Sequence, residues 1–453
     1  MDEGDTKEHQ RKGARGARVV SEVKDSRGIF YGWWMVGIAT LALLVTNGLT
    51  IGGLPVFYKP MIDDLQRLGT LGGQSRSLTS FASSITFWSA GIFVFFTGML
   101  ISRVRLRILL AIGCVILGSA MFLYSRVTSP IHVYIAHFMF GVSLTFAGLM
   151  VNSVLIANWF RRLRGTAMGI VITGTSLGSV LIPLTARPLI ERFGWRMAML
   201  ILSGLIWFVL LPLVLLAVRE FPRERGLSTD GDPLPASGDE PALTDQEKKA
   251  SLPGLTLQEA LRTPDFWVFA LCAAMLFYSI LVVVQQIILY LQTPAVGMSL
   301  KQAAFAQSMM GTASIGGKLL FGWLCDRIPR QRAFAICCGW LFMASLVLLN
   351  LTGATAFLFL IAFGLGYGGA FVTIQVLSIE RFGPRDVGKI LGAIAVAETM
   401  GGATGLIITG VLARTYDFTV AFYGVVIAAG IAFVTALVMR RQPVVETQLA
   451  VQS

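Results

Sequence analysis

Residues 311–332 read GTASIGGKLLFGWLCDRIPRQR. From Ala303 to Cys325 the chain is uncharged except for Lys318, and the run is long enough to cross a bilayer. An ammonium group there costs a few kcal/mol at least, roughly 2.5–3.5 on insertion scales. A second run makes the same exception: Glu398 is the only ionisable residue between Ile390 and Val411. An acid and a base in two separate apolar runs mark a buried site. Past Cys325 the chain turns polar at Asp326, Arg327, Arg330 and Arg332, as a helix leaving a membrane would.

Reading outward from this stretch, the rest of the chain is of one kind. Of its 453 residues, 55% are hydrophobic and 14% charged, where a soluble domain is nearer one quarter charged. Twelve runs have the length and apolarity of membrane helices: 31–57, 77–101, 107–127, 131–157, 165–190, 196–218, 265–292, 302–325, 333–353, 356–379, 387–412 and 418–439. The breaks hold turn or charge signals such as Thr128-Ser129-Pro130 and Arg381-Phe382-Gly383-Pro384-Arg385. The expected fold is an all-α membrane protein of two six-helix bundles, 30–218 and 264–440. A polar tail (1–29), a Pro-rich linker (219–263) and a second tail (441–453) complete it. Thr256 to Leu261 has the makings of a short surface helix. With the N-terminus in the cytoplasm, roughly three quarters of the 37 Lys and Arg fall on that side, so both termini are expected inside.

The net charge of +12 gathers at the ends of apolar runs, with no basic surface interleaved with aromatics, so nucleic acid is not an expected partner. The expected partners are the lipid bilayer and a small molecule, for a monomer. The five cysteines lie in or beside apolar runs without metal-ligand spacing. Gly364-x-Gly366-x-Gly368-Gly369 sits inside an apolar run with no strand before it and no Lys-Ser/Thr after it, so it reads as helix packing. With no Walker motif, metal cluster or nucleophile elbow, neither an enzyme nor a cofactor is expected. The run-ending motifs repeat weakly between the halves: Gly98-Met99-Leu100-Ile101-Ser102-Arg103 leads to Arg107, and Gly322-Trp323-Leu324-Cys325-Asp326-Arg327 leads to Arg330 and Arg332. Repeats of this kind build secondary transporters, with substrate sites near the midplane.

Gly322-x-x-x-Asp326-Arg327 with Arg332 resembles the signature loop of the major facilitator superfamily. The first-half copy has Ser102 where the acid is expected and Arg105 where glycine is. The resemblance implies a gate at Asp326, Arg327 and Arg332, with the acid helping to latch the cytoplasmic side. A narrower resemblance, to the monocarboxylate transporter and oxalate–formate antiporter branch, rests on Tyr31-Gly32-Trp33, on Asn158-Trp159-Phe160-Arg161-Arg162 running through Arg164-Gly165, Ala167 and Gly169 to Gly174, and on Phe193-Gly194-Trp195-Arg196. In that branch an arginine stands four residues before the signature glycine, and Lys318 holds that place here. An aspartate one turn earlier is replaced by Ser314, and the eleventh-helix lysine of oxalate carriers is matched approximately by Glu398.

The two charges agree in depth. Lys318 lies eight residues before Asp326, roughly 12 Å from the cytoplasmic end, and Glu398 lies eleven residues after Val387, roughly 16 Å in. Each lies on a small or polar helical stripe: Gly311, Ser314 and Lys318; Ala395, Glu398, Gly402 and Gly405. Lys318 is the expected anchor for a substrate carboxylate, with a structural ion pair or a snorkelling stem as its plainer roles. Glu398 is the expected proton carrier, with a fixed partner of Lys318 as its plainer role. Proton and anion would couple if substrate competes with Glu398 for the lysine. Asn47, Thr50, Tyr278 and Gln285 are further cavity donors, or inter-helix hydrogen bonders. His132 and His137 are expected at the outer interface rather than in a relay, and Arg187 near the outer mouth. Trp33, Trp34, Trp159 and Trp195 read as interface belts.

These features converge on a proton-linked secondary transporter of small organic anions, with monocarboxylates first, working by alternating access. The rivals are an anion exchanger, a carrier or exporter of an amphipathic or cationic compound held by Glu398, and a transporter-like receptor that binds without translocating. Such receptors usually carry a long cytoplasmic extension, and the stretch after Arg441 is not one.

Overall fold

The computed structural model describes residues 30–70, 75–231, 254–294, 296–416 and 418–439. The expected tails (1–29 and 441–453) and the centre of the expected linker (232–253) lie outside the described residues. Twelve long helices form: α1 (Tyr31–Gly52), α2 (Ser75–Ile101), α3 (Leu106–Ser125), α4 (Pro130–Trp159), α5 (Arg164–Phe193), α6 (Trp195–Ala217), α7 (Pro264–Leu291), α8 (Leu300–Arg327), α9 (Arg330–Asn350), α10 (Gly353–Phe382), α11 (Val387–Thr415) and α12 (Phe418–Val438). No strand occurs among the described residues. Eleven of the helices are apolar enough to cross a membrane on composition alone. The exception is α8, whose Gln302, Gln307, Ser308, Thr312, Ser314 and Lys318 need cover from other helices.

Local chemistry sets the helix ends. Pro130 and Pro264 occupy first-turn positions, where a missing N–H leaves no bond unmade. Ser299 with Gln302, and Thr352 with Thr355, form reciprocal caps that start α8 and α10. Gly194 and Gly383, both at φ 79°, end α5 and α10 in a conformation that side-chain-bearing residues avoid. The helix α4 is interrupted at Ala147–Gly148, and the Asn152 side chain donates to the Ala147 and Gly148 carbonyls, at 3.0 and 2.8 Å, the second of which also accepts the Asn152 backbone N–H. The last turn of α1, Gly48–Gly52, widens to a π-turn, with Gly48 set against Gly178 of α5.

Helix pairing repeats with a shift of six. In the first half α1 packs on α5, α2 on α4, and α3 on α4 and α6. In the second half α7 packs on α11, α8 on α10, and α9 on α10 and α12. Each half encloses its own apolar core, around Leu109, Phe140 and Met168 in the first and Phe269, Phe334 and Phe363 in the second. Two seams join the halves: α5 against α8 and α2 against α11. The short helix Leu257–Leu261 does form, capped by Thr256 and Glu259, and its Leu257 N–H donates to Asp386 at the start of α11.

Two of the tryptophans expected in interface belts are core residues. Trp159 is fully buried with its indole N–H on the Arg219 carbonyl, and Trp195 is buried beside Tyr124. Trp34 is exposed, as a belt residue should be. His137 also departs from its expected interfacial place and is 1% exposed. Thr86 donates to the His137 carbonyl and so accepts from Nδ1, which leaves Nε2 a bare acceptor inside the first core.

Candidate functional site

The two seams follow one register. On the first, Gly165 meets Gly322, and Gly169 lies so close to α8 that a side chain there would sit 2.6 Å from the Lys318 carbonyl. On the second, Gly388 meets Gly98, and a side chain at Gly392 would sit 3.3 Å from the Val94 carbonyl. Gly165, Gly169, Gly322 and Asp326 therefore correspond to Gly388, Gly392, Gly98 and Ser102. In the same register Lys318 corresponds to Val94, Thr175 to Glu398 and Ser176 to Thr399.

Lys318 is 1% exposed and reaches across the first seam. Its Nζ donates to Thr175 Oγ1 at 2.8 Å and to Ser176 Oγ at 2.5 Å. The directions are determined by the proton count. Thr175 gives its own proton to the Ile172 carbonyl at 2.9 Å, so toward Lys318 it can only accept. Ser314 gives its proton to the Gly311 carbonyl at 2.7 Å, so it accepts from Ser176 at 3.0 Å, and Ser176 in turn accepts from the lysine. One chain of hydrogen bonds thus runs from α8 to α5 and back. The third ammonium hydrogen points to no described acceptor. Tyr367 and Phe371 of α10 lie over the ammonium, each ring centre 6.0 Å from Nζ, and Phe277 of α7 extends this aromatic wall. Among the described residues no carboxylate is paired with Lys318.

Glu398 is 8% exposed and makes no hydrogen bond or ion pair among the described residues. Its stripe continues to Gly402 against Leu281 and Gly405 against Tyr278, both on α7. The expected competition for Lys318 therefore has no ion pair behind it in this state: hydroxyls, not Glu398, hold the lysine.

At the end of the bundle that carries Arg103, Arg105, Arg161, Arg162, Arg327 and Arg330, here called the basic end, the first seam is pinned. Asp326 accepts from the backbone N–H groups of Gly165 at 2.8 Å and Thr166 at 2.7 Å, in the first turn of α5. Arg330 bridges the halves, with a 2.7 Å ion pair to Glu380 and a 2.9 Å bond to the Arg161 carbonyl. Arg327 instead lies over its own Trp323, and Arg332 is exposed without a described partner. Of the three residues expected at the gate, only Asp326 crosses it; the arginine that does so is Arg330. On the second seam Ser102 is too short to reach α11 and bonds back to the Met99 carbonyl. A cavity of about 30 Å³ remains there, lined by Ser102, Asn158, Glu220 and the start of α11. Away from the basic end the first seam parts. Val180 and Leu184 continue the α5 face of Ser176 and are 45% and 65% exposed.

Other expected donors are dispersed. Ser314 belongs to the relay. Asn47 is half-buried, unbonded, and one residue from the α1–α5 contact at Gly48 and Gly178, close in height to Ser176. Tyr278 is not at Lys318: its ring packs on Gly405 and its hydroxyl on Gly424, in a groove of about 590 Å³ between α7, α11 and α12. Thr50 is satisfied by the Thr46 carbonyl, Gln285 is exposed, and Arg187 pairs with Glu191 on the surface. His132 lies beside Thr128 and Ser129 at the start of α4. The sequence reading missed Thr175, Ser176, Tyr367 and Phe371. The one available signal was that Thr175 and Ser176 lie within the Gly174-x-x-x-Gly178 packing motif. Among the described residues no set of three or more His, Cys, Asp or Glu is placed to hold a metal ion.

Known proteins align with this architecture. The family model described as Major Facilitator Superfamily matches residues 29–403 and 288–453. The chain is 27% identical over 288 residues to the MFS transporter asaE of Aspergillus flavus, covering 62% of this chain and 59% of that protein. It is 25% identical over 389 residues to monocarboxylate transporter 12 of Rattus norvegicus, covering 80% of this chain and 76% of that protein. Among solved structures, the proton:xylose symporter XylE superposes with a TM-score of 0.68 at 14% identity, over 93% of this chain and 99% of that one. These relatives are membrane transporters, not enzymes, and the chain belongs to the Major Facilitator Superfamily.

Proposed function

We propose that this protein is a proton-linked secondary carrier of small organic anions, monocarboxylates foremost, in a membrane whose cytoplasmic face holds the basic end and both termini. The observation that carries the reading is the buried Lys318, held by neutral hydroxyls and aromatic rings and, among the described residues, by no carboxylate. A cation committed to the interior without a counter-ion is a preformed place for an anion. A single carboxylate suits a compact ammonium better than a planar bidentate fork would. A relative bearing the name monocarboxylate transporter supports the same class.

The seams supply the cycle. The state described is closed at the basic end and parted beyond Ser176, which suits a carrier open to the outside. Asp326 and Arg330 hold that closure, and Lys318 with Thr175 and Ser176 forms its innermost rung. A carboxylate that takes the hydrogens of Lys318 weakens this rung, so binding favours parting of the seam. Glu398, buried and unpaired, carries the proton. Neutralising it removes the charge that would otherwise cross a low-dielectric seam alone.

The test is uptake of labelled lactate, pyruvate, formate and oxalate into proteoliposomes under an imposed pH gradient. At least one acid accumulates in wild type, and Lys318→Ala lowers its uptake by roughly tenfold or more, the scale of one charge-assisted contact. Equal uptake by the two proteins removes Lys318 from the mechanism. Accumulation that persists under the same gradient in Glu398→Gln removes the glutamate from proton coupling.

A further inference from the structure

Lys318 and Glu398 are related by the internal repeat in a way that neither residue reveals alone. Glu398 occupies on the second seam the place that Thr175 occupies on the first. Thr175 accepts a hydrogen from Lys318, but the counterpart of Lys318 is Val94. The second seam therefore has an acceptor without its donor, and the first has a donor with a hydrogen to spare. The two groups lie at matching heights on opposite seams. Among the described residues each lacks an opposite charge, and they do not pair with each other.

Among the described residues, the helices packed around Glu398 place no cation against it; on α10, Tyr367 lies over Lys318, Glu380 pairs with Arg330 and Arg381 with Asp265. The described part of α2 at this height, Ala82–Ile101, has no Lys or Arg, and the ionisable groups of α7 are Asp265, Cys272, Tyr278 and Tyr290. On α11 itself Lys389 is more than two turns away and pairs with Asp386. On α12, Tyr423 is exposed. A buried carboxylate so placed has two ways to be matched, by a proton or by a cationic group brought from outside.

We infer that the site takes zwitterionic carboxylates: the carboxylate end meets Lys318 and an ammonium end meets Glu398, standing in for the proton. The inference rests on the proposed anion anchorage at Lys318 and extends it to the far pole of the ligand. It reconciles both charges with one substrate. A simple carboxylate leaves Glu398 to be neutralised by a proton, whereas a zwitterion neutralises it directly. Acid then has opposite effects on the two ligand types: protonating Glu398 favours the simple carboxylate and evicts the ammonium.

The probes are two series matched in length. One is β-alanine, γ-aminobutyrate, 5-aminopentanoate and 6-aminohexanoate; the other is propionate, butyrate, pentanoate and hexanoate. Dissociation constants are measured on the full-length protein in lipid nanodiscs, near neutral pH and in mild acid. One amino acid is expected to bind at least roughly tenfold tighter than its length-matched carboxylate near neutral pH, the scale of one charge-assisted hydrogen bond. Acid weakens that ligand and strengthens its partner, and Glu398→Gln abolishes the preference. The acid arm uses unaltered protein, so it stands even if the variant fails to fold. If the carboxylates bind as tightly as the amino acids at every length, yet lose binding in Lys318→Ala, the zwitterion inference falls while the anion site survives. If neither series depends on Lys318, both fall.

Discussion

The two seams have the same architecture and opposite chemistry. Along α5–α8 the halves are joined by a carboxylate on backbone N–H groups and a lysine–hydroxyl relay, with an arginine bridge from the start of α9 beside them. Along α2–α11 the same register holds glycines, Val94, a serine that bonds its own helix, and an unpaired glutamate. Backbone repeats fix where helices meet, but the side chains decide which meeting carries energy. In a membrane the contrast is sharper, because lipid is as apolar as the seam and only close packing and polar contacts favour one pairing over another. The α5–α8 seam is thus built as the strong joint and α2–α11 as the yielding one.

The largest effect is expected from moving the latch. Asp326→Asn removes a charge from two helix-start N–H groups, a change of about 1.5–3 kcal/mol, and shifts the basic end roughly tenfold or more toward open. Distances between spin labels at Arg162 and Arg385, both exposed, read that shift. Ser102→Asp is the reciprocal change and should hold the same labels closer than in wild type. If Asp326→Asn leaves the distances unaltered, the seams do not differ as joints. Next comes the relay. Thr175→Val with Ser176→Ala strips both acceptors from Lys318 and should open the same label pair several-fold. Thr399→Val, at the position of Ser176 on the other seam, should change it less than about twofold, since among the described residues Thr399 bonds the Ala395 carbonyl of its own helix alone. The smallest effect is steric. Gly169→Ala brings a methyl group to 2.6 Å from a carbonyl and should cost about 1–3 kcal/mol, seen as a lower melting temperature in detergent. At Gly392→Ala the neighbour is 3.3 Å away, and the loss should be under half of that.

How far the sequence reaches follows from which interactions are local. The helices were readable because a span is a property of consecutive residues: its length, its caps at Ser299 and Thr352, its end at Gly383. Lys318 and Glu398 were readable because charge in an apolar run is anomalous without knowing any neighbour. Their matching heights were also readable, and the structure gives the reason in the repeat. The ligands of Lys318 were not readable, since Thr175 and Ser176 lie more than a hundred residues away and serine and threonine are ordinary in membrane helices. The same limit misdirected His137 and Trp159. A polar aromatic near a helix end can turn to the interface or into the bundle, and only the packed neighbours decide which.

The break in α4 has a mechanical meaning. A continuous rod that bends in the bilayer must expose a carbonyl to lipid or stretch its own ladder. At Ala147–Gly148 the ladder is already cut, and the Asn152 amide reaches back from one turn on to the Ala147 and Gly148 oxygens. The first half therefore contains a splinted joint midway along α4, where its two segments can change angle while one amide spans the cut.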